Sequence, residues 1–109
     1  MGEPLSTGQD PVLALVKRRL ETLYGSRLAR VLLYGSRAAG VARPDSDYDV
    51  AIFLKDLDDP RHEADQLADL GWEMVRDHGV VLSAKAFAAG DYGRPSLLME
   101  VIRQEGVPV

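Results

Sequence analysis

The chain contains no cysteine and only two histidines, and aromatic residues make up 6% of it. The lack of cysteine excludes disulfides and thiolate metal sites, and it favours a protein of the reducing cytoplasm. No apolar run approaches the roughly 20 residues of a membrane-spanning helix, so no membrane association is expected. His62 and His78 are far apart in the sequence and are expected at the surface rather than in a metal site.

Positive charge is also scarce, since 13 Lys and Arg stand against 17 Asp and Glu, for a formal net charge of −4. Direct nucleic-acid binding is therefore not expected, because it requires a basic surface. The length of 109 residues suits one compact domain and leaves little room for two. We expect residues 1–109 to form a single domain in which residues 1–9, rich in Gly, Pro and Ser, are flexible.

Apolar spacing and capping residues predict helices and strands in alternation. The predicted elements are a helix from Pro11 to Gly25, a strand over Ala29–Tyr34, a turn entering a short helix over Gly35–Gly40, a strand over Tyr48–Leu54, a helix from Pro60 to Gly79, a strand over Val80–Phe87 and a helix over Leu97–Glu105. This α-β-α-β-α-β-α order indicates an α/β (α+β) fold in which helices flank a small mixed β-sheet.

Two aspartates, Asp47 and Asp49, stand at alternate positions where the second predicted strand begins. Residues two apart in a strand point to the same side, so the two carboxylates are predicted to lie close together. Their charges repel each other unless a cation lies between them. Mg²⁺ prefers carboxylate oxygens and completes its shell with waters and substrate phosphates. The pair therefore predicts a Mg²⁺ site that also holds a nucleotide.

A Gly-Ser dipeptide, Gly35-Ser36, directly follows the first predicted strand. Glycine lets backbone approach a ligand closely, and Ser36 offers a hydroxyl and a backbone N–H. If a helix starts here, its free N–H groups favour phosphates, and Arg37 adds a charge partner on the same turn. An isolated Gly-Ser is usually an ordinary turn. Together with the two aspartates, it predicts a polyphosphate site formed by Gly35, Ser36 and Arg37.

The spacing between these two features is that of a known signature. Gly35-Ser36, the ten residues Arg37 to Ser46, and then Asp47-Tyr48-Asp49 reproduce the pattern G-S-x10-D-x-D. The chain thus resembles nucleotidyltransferases of the DNA polymerase β-like superfamily. Its small size resembles the minimal nucleotidyltransferases, which are often the antitoxin half of HEPN–nucleotidyltransferase toxin–antitoxin pairs.

This resemblance implies an enzyme that binds a nucleoside triphosphate, ATP first among them, with Mg²⁺ or Mn²⁺ and transfers AMP to a hydroxyl. In the toxin–antitoxin pairs the acceptor is a tyrosine of the HEPN ribonuclease, so a HEPN-type toxin is the implied partner. The resemblance also implies that Gly35 and Ser36 contact the β- and γ-phosphates. Asp47 and Asp49 would then be the metal ligands and the catalytic carboxylates.

The third core strand departs from the pattern of the superfamily. Many members carry a third carboxylate there, which helps to activate the attacking hydroxyl. Here the segment GVVLSAKAFAAGD has no Asp or Glu before Asp91, which lies beyond the strand in a turn. Ser83 is expected at the equivalent position, and Lys85 on the same face would meet a phosphate, pair with an aspartate or point to solvent.

Other functions and partners follow from the same residues. Without the third carboxylate, the domain would be a nucleotide- or toxin-binding module that neutralises by contact alone. Transfer to a small molecule such as an aminoglycoside is a further alternative, which the expectation of a single domain disfavours unless a dimer builds the missing wall of the acceptor site. The last predicted helix is more apolar than one buried face requires, which predicts a surface for a partner or for a second copy of the chain.

Overall fold

The two central strands are largely apolar, and both contain residues that favour extended backbone. The sequence of β1 (Leu28–Tyr34) is LARVLLY and that of β2 (Tyr48–Leu54) is YDVAIFL, in both of which β-branched and aromatic residues recur. The computed structural model describes residues 10–43 and 45–109. Residues 1–9, for which flexibility is predicted, lie outside the described residues.

Helices flank these strands in the predicted chain order, except that no helix lies among the described residues between β1 and β2 and a short strand follows the last helix. The remaining elements are α1 (Pro11–Tyr24), α2 (Pro60–His78), β3 (Leu82–Ala88), α3 (Leu97–Glu105) and β4 (Val107–Pro108), with short 3₁₀ helices at Gly25–Arg27 and Ala89–Gly93. The α+β fold class is thus confirmed, with a four-stranded mixed sheet and helices packed against it.

The four strands lie in the order β3-β2-β1-β4. β1 pairs with β2 in the antiparallel sense, and this register places Tyr34 opposite Asp49. β2 pairs with β3 in the parallel sense, after the chain has crossed over through α2. β4 is antiparallel to β1 and adds one short edge strand. Because β2 has a neighbour on each side, its residues from Val50 to Leu54 are all buried.

The alternation of side chains along β2 divides the core between the two faces of the sheet. Val50, Ile52 and Leu54 belong to the larger cluster, which α1 and α2 cover. Ala51 and Phe53 belong to the smaller cluster on the opposite face, where residues of α3 contact them. By the same alternation, Asp47 and Asp49 precede Ala51 on the face that carries α3.

The predicted helix starts are confirmed by their capping hydrogen bonds. Asp10 accepts from the backbone N–H of Val12 at 2.9 Å, which begins α1. Asp59 caps α2 and Ser96 caps α3 in the same manner. Each bond satisfies one of the N–H groups that the first turn of a helix leaves without a partner. Within the described residues, no helix is both long enough and apolar enough to cross a membrane.

The segment after β1 differs from its prediction. Residues 35–40 form hydrogen-bonded turns instead of a short helix, with Ala39 N–H donating to the Gly35 carbonyl at 3.1 Å. The physical reason is that Gly35 and Gly40 adopt φ angles of +77° and +76°, which a right-handed helix does not contain. The N–H groups of this turn, rather than a helix N-terminus, therefore stand next to the sheet.

Two further differences concern the ends of strands. β3 begins at Leu82 rather than at Val80, because α2 ends at the left-handed residue Gly79 and the chain needs further residues to reach the sheet. The pairing of Val107 with Leu33 as β4 is missed by sequence reasoning. Its two residues are too few to show strand periodicity.

Some of the apolar side chains of α3 lie at the surface. Met99 and Ile102 are buried, whereas Leu97 and Leu98 remain 81% and 39% exposed. A role of these leucines in binding a partner or a second copy stays a prediction.

The core residue Phe53 provides a test of this architecture. It is fully buried, stacks on Phe87 at 5.5 Å and meets Tyr92 edge-on at 5.3 Å between ring centroids. Phe53→Ala should lower the free energy of unfolding by about 3–5 kcal/mol because it leaves a cavity under α3. Val75→Ala, at a residue 42% exposed, should change it by less than about 0.5 kcal/mol. Urea unfolding checks both, and equal effects would contradict the core described here.

Candidate active site

The turn after β1 brings backbone directly against a carboxylate of β2. Gly35 follows Tyr34, which is paired with Asp49, and has a φ of +77°. A Cβ atom at Gly35 would overlap Oδ2 of Asp49 and lie 3.2 Å from its Cγ. The position therefore needs glycine twice over, for its backbone conformation and for the space beside Asp49.

Asp47 and Asp49 share one face of the sheet, as the sequence predicts from their spacing. Asp47 is exposed at the approach to β2, and Asp49 is half-buried within the strand. Within residues 10–43 and 45–109, neither carboxylate accepts a hydrogen bond or forms an ion pair. Their oxygens are thus available to a ligand from outside the chain.

The electrostatics of Asp49 reflect this setting. Burial raises the pKa of the Asp49 carboxyl, the negative charge of Asp47 raises it further, and Lys85 lowers it. A net rise of the pKa means that the negatively charged form of Asp49 is less favourable here than in water. A bound cation would make that form more favourable. The arrangement is therefore poised for a positive ligand.

The third strand places two predicted residues beside Asp49. Ser83 is the direct partner of Asp49 in the parallel register, and Lys85 is the next residue on the same face, level with Ala51. The position expected for a third carboxylate thus carries a hydroxyl. Asp91 lies in the 3₁₀ segment beyond β3 and forms an ion pair with Arg94 at 3.1 Å.

The structure keeps Ser36 near the carboxylates but directs Arg37 elsewhere. Ser36 is half-buried in the turn, and within the described residues its hydroxyl has no hydrogen-bond partner. The Arg37 guanidinium donates to the carbonyl of Ser46 at 2.8 and 3.0 Å and lies 3.9 Å over the ring of Tyr48. These contacts hold the loop between β1 and β2 together. They do not test whether Arg37 also contacts a nucleotide, so that contact stays a prediction.

Tyr48, between the two aspartates, is a residue whose importance sequence reasoning missed. Its ring is buried on the face opposite to the carboxylates, and its hydroxyl donates to Oδ2 of Asp10 at 2.9 Å. Burial and this hydrogen bond raise the pKa of Tyr48 to about 12. The alternation of Asp47, Tyr48 and Asp49 was a signal that this side chain would point into the core.

Tyr34 also lies at the site and was not predicted there. It is half-buried and sits opposite Asp49 in the β1–β2 register. Burial raises the pKa of its hydroxyl, and the charge of Asp49 raises it further. Its position immediately before Gly35 in the motif was the available signal.

The residues present fit a divalent cation held by two carboxylates. Asp47 and Asp49 supply oxygen ligands of the kind that Mg²⁺ and Mn²⁺ prefer, on one face and without competing partners in the described part of the chain. No group of three or more His, Cys, Asp or Glu side chains suited to a metal occurs among the described residues. A cation at this site would complete its shell with waters and a further ligand such as a phosphate.

Comparison with known proteins identifies the class to which this site belongs. The model of the family described as Polymerase beta, Nucleotidyltransferase matches residues 20–86, which include β1, the glycine turn, β2 and most of β3. The chain therefore belongs to the Polymerase beta nucleotidyltransferase family. The membership predicted from the G-S-x10-D-x-D motif is confirmed. A comparison with curated proteins found no match.

Solved structures share the fold at low sequence identity. One, described as "Crystal structure of the toxin-antitoxin with AMP-PNP", superposes with a TM-score of 0.61 and 16% identity, covering 84% of this chain and 68% of that one. Another, described as a mutant of the toxin-antitoxin MntA-HpeT, gives a TM-score of 0.60 and 16% identity, covering 88% and 70%. The chain thus shares its fold with these two crystal structures, both of which are described as toxin–antitoxins.

Replacing Asp49 with asparagine should stabilise the metal-free protein at neutral pH. The change removes a charge that burial and Asp47 make unfavourable. The gain should be below about 1 kcal/mol, since Asp49 keeps partial contact with water. The gain should begin to shrink as the pH falls through the raised pKa of Asp49 in the folded protein, and it should vanish below the ordinary pKa of the carboxyl in the unfolded chain, where both states are neutral. Thermal unfolding with a chelator, over a pH series, measures the effect.

Asp47→Asn is the matched control for this prediction. Asp47 is exposed, so its removal relieves the mutual repulsion without relieving a burial cost, and the gain should be smaller. A lower stability of Asp49→Asn than of the parent at neutral pH would contradict the electrostatic description.

Gly35→Ala and Gly79→Ala form a second matched pair. Both glycines have positive φ angles, +77° and +67°, so each alanine should cost about 1–2 kcal/mol of backbone strain. Only at Gly35 would the new Cβ displace Asp49, since nothing lies within 4 Å of the Cβ position at Gly79. Gly35→Ala should therefore weaken Mn²⁺ binding about tenfold or more, the usual effect of disturbing a ligand's support. Calorimetric titration measures this, and equal Mn²⁺ affinities of the two variants would refute the contact.

Proposed function

We propose that this chain is a Mg²⁺-dependent nucleotidyltransferase, with Mn²⁺ able to replace Mg²⁺, that transfers AMP from ATP to a hydroxyl of a protein partner. The observation that carries the proposal is the placement of Asp47 and Asp49 on one sheet face, with the Gly35 turn against Asp49. Metal-assisted transfer at phosphorus needs such a carboxylate pair next to a place for phosphates.

Each residue of the motif has a role in this proposal. Asp47 and Asp49 hold the cation, which when bound neutralises charge on the triphosphate. Gly35 lets the backbone of the turn lie directly against Asp49, so that phosphates bound to the cation would meet this backbone. The Ser36 hydroxyl, which is half-buried in the same turn, donates to a β- or γ-phosphate oxygen. Together these residues orient the α-phosphate toward the acceptor.

The transfer itself is a displacement at the α-phosphorus of ATP. The acceptor hydroxyl oxygen forms a bond to that phosphorus, and the bond from phosphorus to the oxygen bridging to the β-phosphate breaks. Pyrophosphate leaves with the electron pair, and the acceptor proton passes to water. No carboxylate on β3 is available to take this proton, since the strand sequence is LSAKAFA.

The proposed partner is a HEPN-type toxin whose tyrosine accepts AMP. The proposal is supported by the family of the chain and by a fold shared with two crystal structures described as toxin–antitoxins. The exposed Leu97 and Leu98 of α3 offer apolar surface for contact with the toxin. Leucines at an interface core would be shielded there from water.

A second candidate function is neutralisation of the toxin by contact alone. The observation that favours it is the pairing of Asp49 with Ser83, since a neutral hydroxyl replaces the carboxylate that activates the attacking group in many relatives. In this case the chain would bind nucleotide and toxin without transferring AMP.

Intact mass measurement separates the two functions. The chain is incubated with ATP and Mg²⁺, with and without a candidate HEPN-type partner protein, and the masses of both chains are recorded. We expect one or more AMP units on the partner. Asp47→Asn should lower the transfer rate by at least about a hundredfold, the scale of losing a principal electrostatic group in catalysis.

Asp58→Asn is the control, because it removes an equal charge from an exposed loop beyond the far end of β2 and should leave transfer unchanged. A stable complex that forms without any AMP on the partner would overturn transfer and support neutralisation by contact.

A further inference from the structure

β3 carries no carboxylate at the position beside Asp49. This absence raises the question of which positive charge balances a phosphate group held there. In a site with a third carboxylate, a second divalent cation would have three anionic ligands. Here β3 supplies Ser83 next to Asp49 and then Lys85 on the same face. A serine hydroxyl is a weak ligand for a hard cation, so this position does little to hold a second metal ion.

Lys85 is placed to act on the same region. It pairs with Ala51, which makes it the diagonal neighbour of Asp49 across the two strands. With strands about 4.8 Å apart and a rise of about 3.3 Å per residue, these two backbone positions lie about 8 Å apart, within reach of a lysine side chain. Lys85 itself is exposed, so its side chain is not held within the core.

The β2–β3 register places Lys85 on the sheet face that carries Asp49, one residue pair further along the two strands. Lys85 forms no ion pair within the described residues, so its ammonium is available to an anionic ligand. A second divalent cation at the same place would be repelled by this ammonium, since like charges a few ångströms apart repel strongly.

We propose that the Lys85 ammonium takes the place of a second metal ion: it binds the phosphate group held beside Asp49, and the chain uses a single divalent cation. This inference rests on the proposed nucleotide site and specifies which cations that site uses. Lys85 thereby supplies, as part of the chain, the positive charge that a site with a third carboxylate would obtain from a second metal ion. An ammonium donates up to three hydrogen bonds to phosphate oxygens, as in other phosphate-binding lysines.

Equilibrium dialysis with Mn²⁺ and the non-hydrolysable analogue AMP-PNP tests the proposal without any transfer reaction. The wild-type chain should bind one Mn²⁺ per bound AMP-PNP. Lys85→Met keeps the apolar stem and removes the charge, and it should weaken AMP-PNP binding about tenfold or more, the usual effect of losing a charged hydrogen bond. Lys85→Arg should restore most of the affinity. Lys55→Met, at an exposed lysine just beyond the opposite end of β2, should have no effect.

Restoring a carboxylate tests the metal count. The double variant Ser83→Asp, Lys85→Met should bind two Mn²⁺ per AMP-PNP, because it supplies a third carboxylate and removes the repelling charge. The single variant Lys85→Met decides the question if the double variant does not fold, which circular dichroism would show.

The outcomes distinguish this inference from the proposed function. Two Mn²⁺ per AMP-PNP in the wild-type chain, or unchanged affinity in Lys85→Met, would overturn the role of Lys85 and leave AMP transfer standing. One Mn²⁺ per AMP-PNP with the expected loss in Lys85→Met, but no AMP on any partner, would overturn the transfer and support the role of Lys85. Failure of the wild-type chain to bind AMP-PNP would overturn both.

Discussion

The hydroxyl of Tyr48 donates a hydrogen bond to Oδ2 of Asp10 at 2.9 Å, while Oδ1 of the same carboxylate caps α1. The Arg37 guanidinium lies 3.9 Å over the tyrosine ring and binds the carbonyl of Ser46. One side chain thus ties the start of β2 to α1 and to the preceding loop. Because neighbouring residues of a strand face opposite ways, fixing Tyr48 inward holds Asp47 and Asp49 on the other face.

This constraint explains why the site tolerates an arrangement that is unfavourable by itself. The carboxylates repel each other, and burial opposes the charge of Asp49. Contacts elsewhere offset that cost, chiefly the buried residues of β2 between the two core clusters. The glycine turn adds a second constraint, since Gly35 fits against Asp49 only without a side chain. Together, the tyrosine anchor and the turn hold the two carboxylates in place, as the proposed cation site requires.

The sequence allowed the fold class, the helix caps and the bounds of β2 to be predicted, because these depend on local spacing and capping residues. The carboxylate pair followed from the alternation of a strand. A turn was predicted after β1, but the short helix predicted to follow it does not form, because the shape of residues 35–40 depends on the positive φ of Gly35 and Gly40. The direction of Arg37 could not be predicted, since it depends on the distant pairing of Tyr48 with Asp10. Whether Ser36 and Lys85 touch a nucleotide stays a prediction.

The most direct test of the account is a crystal structure of the chain with Mn²⁺ and AMP-PNP, with anomalous scattering recorded to locate the metal. We predict one Mn²⁺ peak within bonding distance of both Asp47 and Asp49, about 2.0–2.2 Å from their oxygens by analogy with other hard cations. The phosphates should extend from this ion toward Gly35 and Ser36. Nucleotide bound with its metal away from the two aspartates would contradict the account.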